Sequence, residues 1–431
     1  MNNSMEKNED KNINIKINSL NINGEGIAYY KDKKLSIKYV LPNEEVLCES
    51  VFNKKNYIKA KLNKVIKANN FRKTAPCPYY EKCGGCDFQH LSYENSILLK
   101  KEIIKNYFSD IYNKEISFVA SDKFFNYRNK ASFLVKDGKI GFQQEASNCL
   151  VEINECLILN DKINLVLKIA KEWFKKHKNP LVNHLVVRVL NDNIMVTLVV
   201  SGIPKNIEEF KKMLTKEFNT NYGLYLNFNT SKDKILSENW KHICGLKELN
   251  DSFKNIKYSV HPFSFMQVNN FVRNELYNKV LDYVKEEIVI EGYSGIGLLT
   301  SILSTKAKKV IGIEINKKAT ENANKIKKEN NILNIENING DCKNELSKLI
   351  GKYKNATFVI DPPRSGCDIN TLQALKDSGI QNVIYVSCNP YTLKQNLRFL
   401  SDKYNVDEIS IFDMFPQTSN CELLAKLSIK N

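Results

Sequence analysis

The sequence predicts a multidomain α/β protein. It has a small N-terminal β-barrel, a central α+β domain with a cysteine cluster, and a C-terminal parallel sheet wrapped by helices. Three observations predict this. The chain has 431 residues, more than one ordinary domain uses and enough for two or three. Short apolar–polar alternations with turns between them fill positions 14–70. From about Phe271 the rhythm changes to apolar runs separated by helical stretches. The boundaries that follow are 13–70, 71–262 and 263–431.

In the first segment the runs "INIKINSL", "GIAYY", "LSIKYV", "EEVLCESVF" and "YIKAKLNKVI" are punctuated by Gly24, Gly26, Asp32-Lys33 and Pro42-Asn43. Strands this short, with turn residues between them, suggest a small barrel. Residues 71 to about 90 are too rich in Cys, Pro and Gly for helix or strand, and a helical pattern follows from Ser92 to Ile111. Positions 124–260 mix strands such as "HLVVRVL" and "NIMVTLVV" with a helix near Asn164–His177. In the last segment "EIVIE", "KVIGIE", "TFVID", "NVIYVS" and "ISIFDMF" alternate with helices. That alternation implies a parallel sheet covered on both faces, and ligands of such sheets sit beyond the carboxyl ends of the strands.

The formal net charge is +16, which favours a polyanionic partner and says nothing about fold. Between Ser50 and Tyr80 there is no acidic residue; eight Lys and Arg are interleaved with Phe52, Tyr57, Phe71, Tyr79 and Tyr80. Cations contact phosphate and rings stack on bases. No run approaches the ~18 apolar residues of a membrane span. The polar start "MNNSMEKNEDKN" lacks the apolar centre of a signal peptide. The expectation is a soluble, cytoplasmic, monomeric protein with a disordered first dozen residues.

Applied strand by strand, the carboxyl-end rule gathers candidate site residues. After "IVIE" comes Gly292-Tyr293-Ser294-Gly295-Ile296-Gly297, a glycine-rich loop that opens a helix. The next strand ends in Glu314, placed ~20 residues on to accept ribose hydroxyls. Asp341 in "NGDC" follows another short strand, within reach of an adenine amino group. A dinucleotide and S-adenosylmethionine both satisfy this pattern. "TFVI" ends in Asp361-Pro362-Pro363-Arg364, where two prolines fix the backbone past the sheet. The following strand, "NVIYVS", delivers Cys388 in "YVSCNPYT" to the same edge.

A thiol beside a methyl donor suggests one chemistry. Carbon 5 of uracil is a poor nucleophile until a thiolate adds to carbon 6, after which it accepts a methyl. A base then removes the carbon 5 proton and the thiol is expelled, so that one hard step becomes several easier ones. Glu422, opening the apolar strand near the C-terminus, is the candidate base, while its neighbour Cys421 should face the core.

At these residues the chain resembles the bacterial RNA uracil-5 methyltransferases. Within them it is similar to the branch that acts on 23S rRNA and carries a TRAM (OB-like) domain and an iron–sulfur cluster. The resemblance runs from about residue 14 to 429, and "DPPRSGC" and "YVSCNPYTL" are its most specific motifs. It implies a Rossmann-like, S-adenosylmethionine-dependent catalytic domain with Cys388 as nucleophile and Glu422 as base. Asp361 would lie near the target base and the methyl donor. Gln267 in "FSFMQVN", Tyr293 and Glu314 would contact the donor. Several positions depart from the usual pattern: Glu291 and Ser294 stand where aspartate and cysteine are common, Thr418-Ser419-Asn420-Cys421-Glu422 lacks the usual histidine, and Asn43 follows Pro42 where glycine is usual. A tRNA substrate keeps the same chemistry. A catalytically inactive RNA-binding protein would not need Asp361, Cys388 and Glu422 together, and an adenine amino methyltransferase would not need Cys388.

Eleven cysteines without a secretory signal point to metal or catalytic thiols rather than disulfides. "CPYYEKCGGCDFQH" sets Cys77, Cys83 and Cys86 at C-x5-C-x2-C, ligand spacing for zinc or iron–sulfur. Cys156 is the preferred fourth ligand, ahead of Cys149 and His90. The resemblance selects a [4Fe-4S] cluster on Cys77, Cys83, Cys86 and Cys156. The run Tyr127-Arg128-Asn129-Lys130 is read either as an RNA contact or as ordinary surface charge. Phe263 and Phe265 are candidates to stack on a flipped-out uridine.

Overall fold

The computed structural model describes residues 12–430 apart from 146, 148, 232, 286, 350, 351 and 354. The expectation of a disordered start falls on residues 1–12 and so lies, but for Asn12, outside the described residues. Two compact units emerge, one of residues 1–113 with 415–420 and the other of 114–414 with 421–431.

In the first unit six strands make one sheet: β1 (Ile13–Lys16), β2 (Ser19–Leu20), β3 (Gly26–Tyr30), β4 (Lys33–Ile37), β5 (Glu45–Lys54) and β6 (Tyr57–Lys67), in the order β1-β5-β6-β4-β3-β2. The two-residue period sends Ile13 and Ile15 inward and Asn14 and Lys16 outward, as strand geometry requires. Ile17, Leu35, Ile37, Val46 and Ile58 close the same core. Below it Glu44 is fully buried and fully satisfied. It accepts from the N–H of Leu41 (2.8 Å) and of Asn69 (3.1 Å), and from Arg72 Nε (2.5 Å) and Nη2 (2.8 Å). Helix α1 (Tyr93–Phe108) begins at Ser92, whose hydroxyl accepts from the N–H of Asn95. Its buried Lys100 donates to the carbonyls of Phe415 (3.1 Å) and Asn420 (3.2 Å). Those two residues bound the late segment that belongs to this unit. Gln417 in that segment accepts from the N–H groups of Asp87 and Phe88.

The second unit holds two larger sheets. β7 (Ser117–Val119) is followed by β8 (Lys130–Lys136), β9 (Lys139–Gln143), β10 (Leu150–Glu152), α2 (Asp161–Lys176), β11 (Val182–Leu190), β12 (Asn193–Val200), α3 (Ile207–Phe218), β13 (Tyr222–Phe228) and β14 (Trp240–Gly245). β8 to β14 form a seven-stranded sheet in the order β10-β9-β8-β11-β12-β13-β14. Trp173 of α2 meets Phe174 edge-on (4.9 Å) and lies tilted against Phe210 of α3 (4.8 Å), all three buried. A hairpin of β15 (Leu249–Phe253) and β16 (Ile256–Val260) leads to α4 (Asn270–Tyr283).

The C-terminal sheet then builds by strand–helix alternation: β17 (Ile288–Gly292), α5 (Leu298–Leu303), β18 (Lys309–Glu314), α6 (Lys317–Glu329), β19 (Ile335–Asn339), α7 (Cys342–Leu349), β20 (Thr357–Ile360), α8 (Ile369–Ser378), β21 (Asn382–Ser387), α9 (Pro390–Leu400), β22 (Tyr404–Phe412) and β23 (Glu422–Ile429). Its order is β19-β18-β17-β20-β21-β23-β22-β7. The five strands β17 to β21 are parallel, and β23 inserts antiparallel between β21 and β22. β7, only three residues long and far away in sequence, pairs in parallel with the edge strand β22; no sequence pattern announces it.

Candidate active site

The carboxyl ends of β17, β18, β20 and β21 deliver the predicted residues to one edge, and β23 enters from the other side. After β17 the chain turns through Tyr293 (φ 62°), Gly295 (φ 55°) and Gly297 (φ 79°). A Cβ on Gly297 would lie 2.5 Å from the Cβ of Ala323, so only glycine lets this loop approach α6. A Cβ on Gly295 would meet nothing within 4 Å; that glycine borders open space. The N–H of Gly295 donates to Glu314 Oε2 (2.9 Å), and the N–H of Asn316 donates to Oε1 (2.7 Å). The two backbone bonds fix the carboxylate's orientation and leave lone pairs for ribose hydroxyls. Asp341 accepts from the N–H of Lys343 (3.2 Å) and opens α7. The Tyr293 hydroxyl points back to Cys367 (3.6 Å) and Asp368 (3.5 Å). The open space at Gly295, the paired Glu314 and the polar helix starts fit a nucleoside-bearing methyl donor.

β20 and β21 run parallel in register up to Ile360 and Tyr385, so Asp361 and Cys388 both emerge just past the strand ends. Antiparallel pairing of β21 with β23 ends at Ser387 with Leu423, and one step further sets Cys388 opposite Glu422. The three groups interact. Burial above all, then the charges of Glu422 and Asp361, against the charge and hydrogen bond of Arg364, push the Cys388 thiol up to about 11. Burial pushes Asp361 up to about 6. Burial, then the charge of Asp361, holds Glu422 well above the ordinary carboxylate range, against a hydrogen bond from the Gln267 side chain. Glu422 is 2% exposed and its Oε2 has no hydrogen-bond partner. A buried carboxylate oxygen left unpaired costs roughly 1–3 kcal/mol unless something occupies its lone pairs.

Several residues that support these groups carried no role in the sequence reading. Arg364 stood inside "DPPR" as part of a motif. Asn389 caps α9 by accepting from the N–H of Tyr391 (3.1 Å), and its side-chain amide donates to the carbonyl of Arg364 (2.8 Å). This one amide ties the loop of Asp361 to the loop of Cys388. Asn396 and Tyr385 brace the other side, both bonding the N–H of Cys367 and joined to each other at 2.6 Å. Beneath the glycine loop Glu291 accepts from Thr300 (2.5 Å), and burial raises it to about 8.

Cys77, Cys83 and Cys86 lie in the first unit and Cys156 in the second. Among the described residues no group of three or more His, Cys, Asp or Glu side chains is gathered closely enough to hold a metal ion. Burial raises the Cys83 thiol and the charge of Cys77 adds to it. Cys149 is exposed. His90 is neutral, lowered to about 3 by burial, and its Nδ1 engages the Tyr80 hydroxyl at 2.5 Å. In the run Tyr127–Lys130, Tyr127 and Asn129 are buried while Arg128 and Lys130 are half-buried, and Asn129 donates to the carbonyl of Gln267 (3.2 Å).

Comparison with known proteins decides the family. The family model described as tRNA (uracil-5-)-methyltransferase matches residues 92–428. The chain belongs to this family. It is therefore an S-adenosylmethionine-dependent RNA uracil-5 methyltransferase. An "uncharacterized RNA methyltransferase" of Caldanaerobacter subterraneus subsp. tengcongensis is 32% identical over 95% of this chain and 96% of its own length. Another, of Fusobacterium nucleatum, is 33% identical over 97% and 96%. The fold of the methyltransferase matches that of the Pyrococcus abyssi tRNA (uracil-54, C5)-methyltransferase in complex with S-adenosyl-L-homocysteine, with a TM-score of 0.79 over 96% of this chain and 100% of that one, at 24% identity. Among the described residues no helix is long and apolar enough to cross a membrane.

Proposed function

We propose that the protein methylates carbon 5 of a uridine in 23S rRNA through a transient bond between Cys388 and carbon 6 of the ring. The observation that carries the reading is a thiol flanked by the buried Glu422, the half-buried Asp361 and a guanidinium. Bound S-adenosylmethionine would supply an electrophilic methyl, held by Gln267, Tyr293, Glu314, Asp341 and Asp361. The Cys388 thiol stays protonated at neutral pH, so its proton must leave as sulfur adds to carbon 6. Asp361, raised to about 6, takes that proton and passes it to solvent. The addition makes carbon 5 nucleophilic, and that carbon accepts the methyl. Glu422 then removes the carbon 5 proton, the C–S bond breaks, and 5-methyluridine is released. The unpaired Oε2 of Glu422 supports its assignment as base. Phe265 is 75% exposed, available to stack on the extruded uracil.

The N-terminal sheet acts in this reading as a TRAM-type RNA-binding barrel. Lys54 lies over the exposed ring of Phe52 at 5.1 Å, a pairing suited to bases and phosphates. An iron–sulfur cluster on Cys77, Cys83, Cys86 and Cys156 rests on the C-x5-C-x2-C spacing and the family resemblance, and no step of the reaction passes through it. Iron and sulfide analysis of anaerobically purified protein tests it, with zinc as the alternative result. The enzyme would act in the cytoplasm as a monomer.

A tRNA uridine is the second reading, favoured by the description of the family model and by the Pyrococcus abyssi structure. One experiment separates the two. 23S rRNA and tRNA transcripts containing 5-fluorouridine are incubated with labelled methyl donor. Fluorine at carbon 5 blocks the last proton removal, so a covalent adduct accumulates on the true substrate. An adduct on tRNA alone selects the second reading. A stable adduct formed by Cys388→Ala removes Cys388 as nucleophile.

A further inference from the structure

Lys130 of β8 and Arg188 of β11 are directly paired across the antiparallel ladder, so their side chains leave the sheet on the same face. Arg188 is 4% exposed, and its Nη1 has no hydrogen-bond partner. Lys130 is half-buried; the charges that act on it are those of Arg188 and Arg128, and both oppose its own. Two residues along each strand the same face carries Ser132 and Val186, and beyond them lies His184. Ser132 Oγ, His184 Nδ1 and the nearby Ser264 Oγ are buried without partners. Two adjacent cations and several idle polar atoms in a covered site are costly. Without an anion the lysine sheds its proton readily, since burial and the charges of Arg188 and Arg128 lower it to about 7; an anion keeps both groups charged and satisfies the hydrogen bonds.

The face is also tied to the reacting centre. Arg188 Nη2 donates to the carbonyl of Ser264 at 2.6 Å, three residues before Gln267, whose side chain bonds Glu422. Asn129, next to Lys130, donates to the carbonyl of Gln267 itself. We propose that Lys130, with Arg188 beneath it and the hydroxyls of Ser132 and Ser264 beside it, binds a backbone phosphate of the RNA next to the target uridine. The proposal rests on the uridine-methylation reading for which phosphate it is, and on RNA binding alone for its chemistry. Lys130, the most accessible member, makes the contact. Arg188 anchors the 264–267 segment with one nitrogen and turns the other toward the anion, so a phosphate in place also fixes the strap that carries Gln267.

The full-length protein tests this through Lys130→Met, Lys130→Arg and Arg188→Lys. For each, RNA affinity is measured against salt, together with S-adenosylmethionine affinity, kcat, KM and thermal midpoint. Lys130→Met should weaken RNA binding about tenfold and lower the slope of log affinity against log salt by about 1. It should raise KM for RNA far more than it lowers kcat, and Lys130→Arg should restore binding. A single methylphosphonate beside the target uridine should weaken the wild type as much and leave Lys130→Met no weaker than it already is. Unchanged affinity and salt slope in Lys130→Met would overturn the proposal. So would a parallel loss of methyl-donor affinity, which would assign the site to the donor's carboxylate. A fall in thermal midpoint that Lys130→Arg does not rescue would make the residue structural. If the wild type methylates no RNA, the functional reading fails, while the salt-dependent RNA-binding arm still decides this one.

Discussion

Glu44 and Glu422 are the same residue type, both fully buried, and built into opposite situations. Glu44 receives two backbone N–H groups and both donors of the Arg72 fork. Glu422 keeps one oxygen idle beside the half-buried carboxylate of Asp361 and a thiol. The first carboxylate is spent on holding the connection between β4 and β5 to the chain that leaves β6. The second keeps its capacity to accept a proton. Buried charge that is matched reads as architecture, and buried charge left unmatched at a strand end reads as chemistry.

Substitutions break or sharpen this contrast. The largest effect belongs to Cys388→Ala, which should abolish methyl transfer, about 10⁴-fold or more, while the thermal midpoint moves little. Labelled-methyl incorporation alongside a melt checks it. Glu422→Gln should cost about 10²–10⁴ in turnover yet still form the covalent adduct with unmodified RNA, visible as a slow band on a denaturing gel. An absent adduct would mean that Glu422 acts before the methyl moves. Arg72→Met should leave kcat close to the wild type and lower unfolding free energy by roughly 3 kcal/mol, because Glu44 would stay buried without its cation. Urea denaturation measures this, and a loss of turnover at unchanged stability would erase the contrast.

The smallest effect is pH-dependent and comes from Glu291. Its folded-state pKa of about 8 lies above its ordinary 4.5. Between those values the folded chain holds a proton that the unfolded chain releases, so stability falls as pH rises through that window. Glu291→Gln removes the penalty. It should nearly match the wild type near pH 5 and exceed it near pH 9, the gap widening across that window. Equal melting points at both pH values would show that the carboxyl is not burdened by its burial.

By itself the sequence displayed the α/β alternation of the C-terminal sheet and offered the candidate chemical cast. Strand–helix alternation after residue 271 specified the parallel sheet, because hydrophobic period and strand ends are local properties. The same logic brought Asp361, Cys388 and Glu314 to strand termini. At Tyr127–Lys130 local pattern gave no sign that Tyr127 and Asn129 are buried beside two half-buried cations. Only the tertiary structure decided that β23 inserts antiparallel beside β21 and sets Glu422 opposite Cys388, and that three residues at Ser117–Val119 complete the sheet. Only it showed Arg364 against the thiol, Asn389 joining two loops, and Lys130 paired with Arg188. Such pairings depend on contacts between residues far apart in the chain, and burial and neighbouring charge, which set whether a side chain is inert or reactive, have no period a sequence can display.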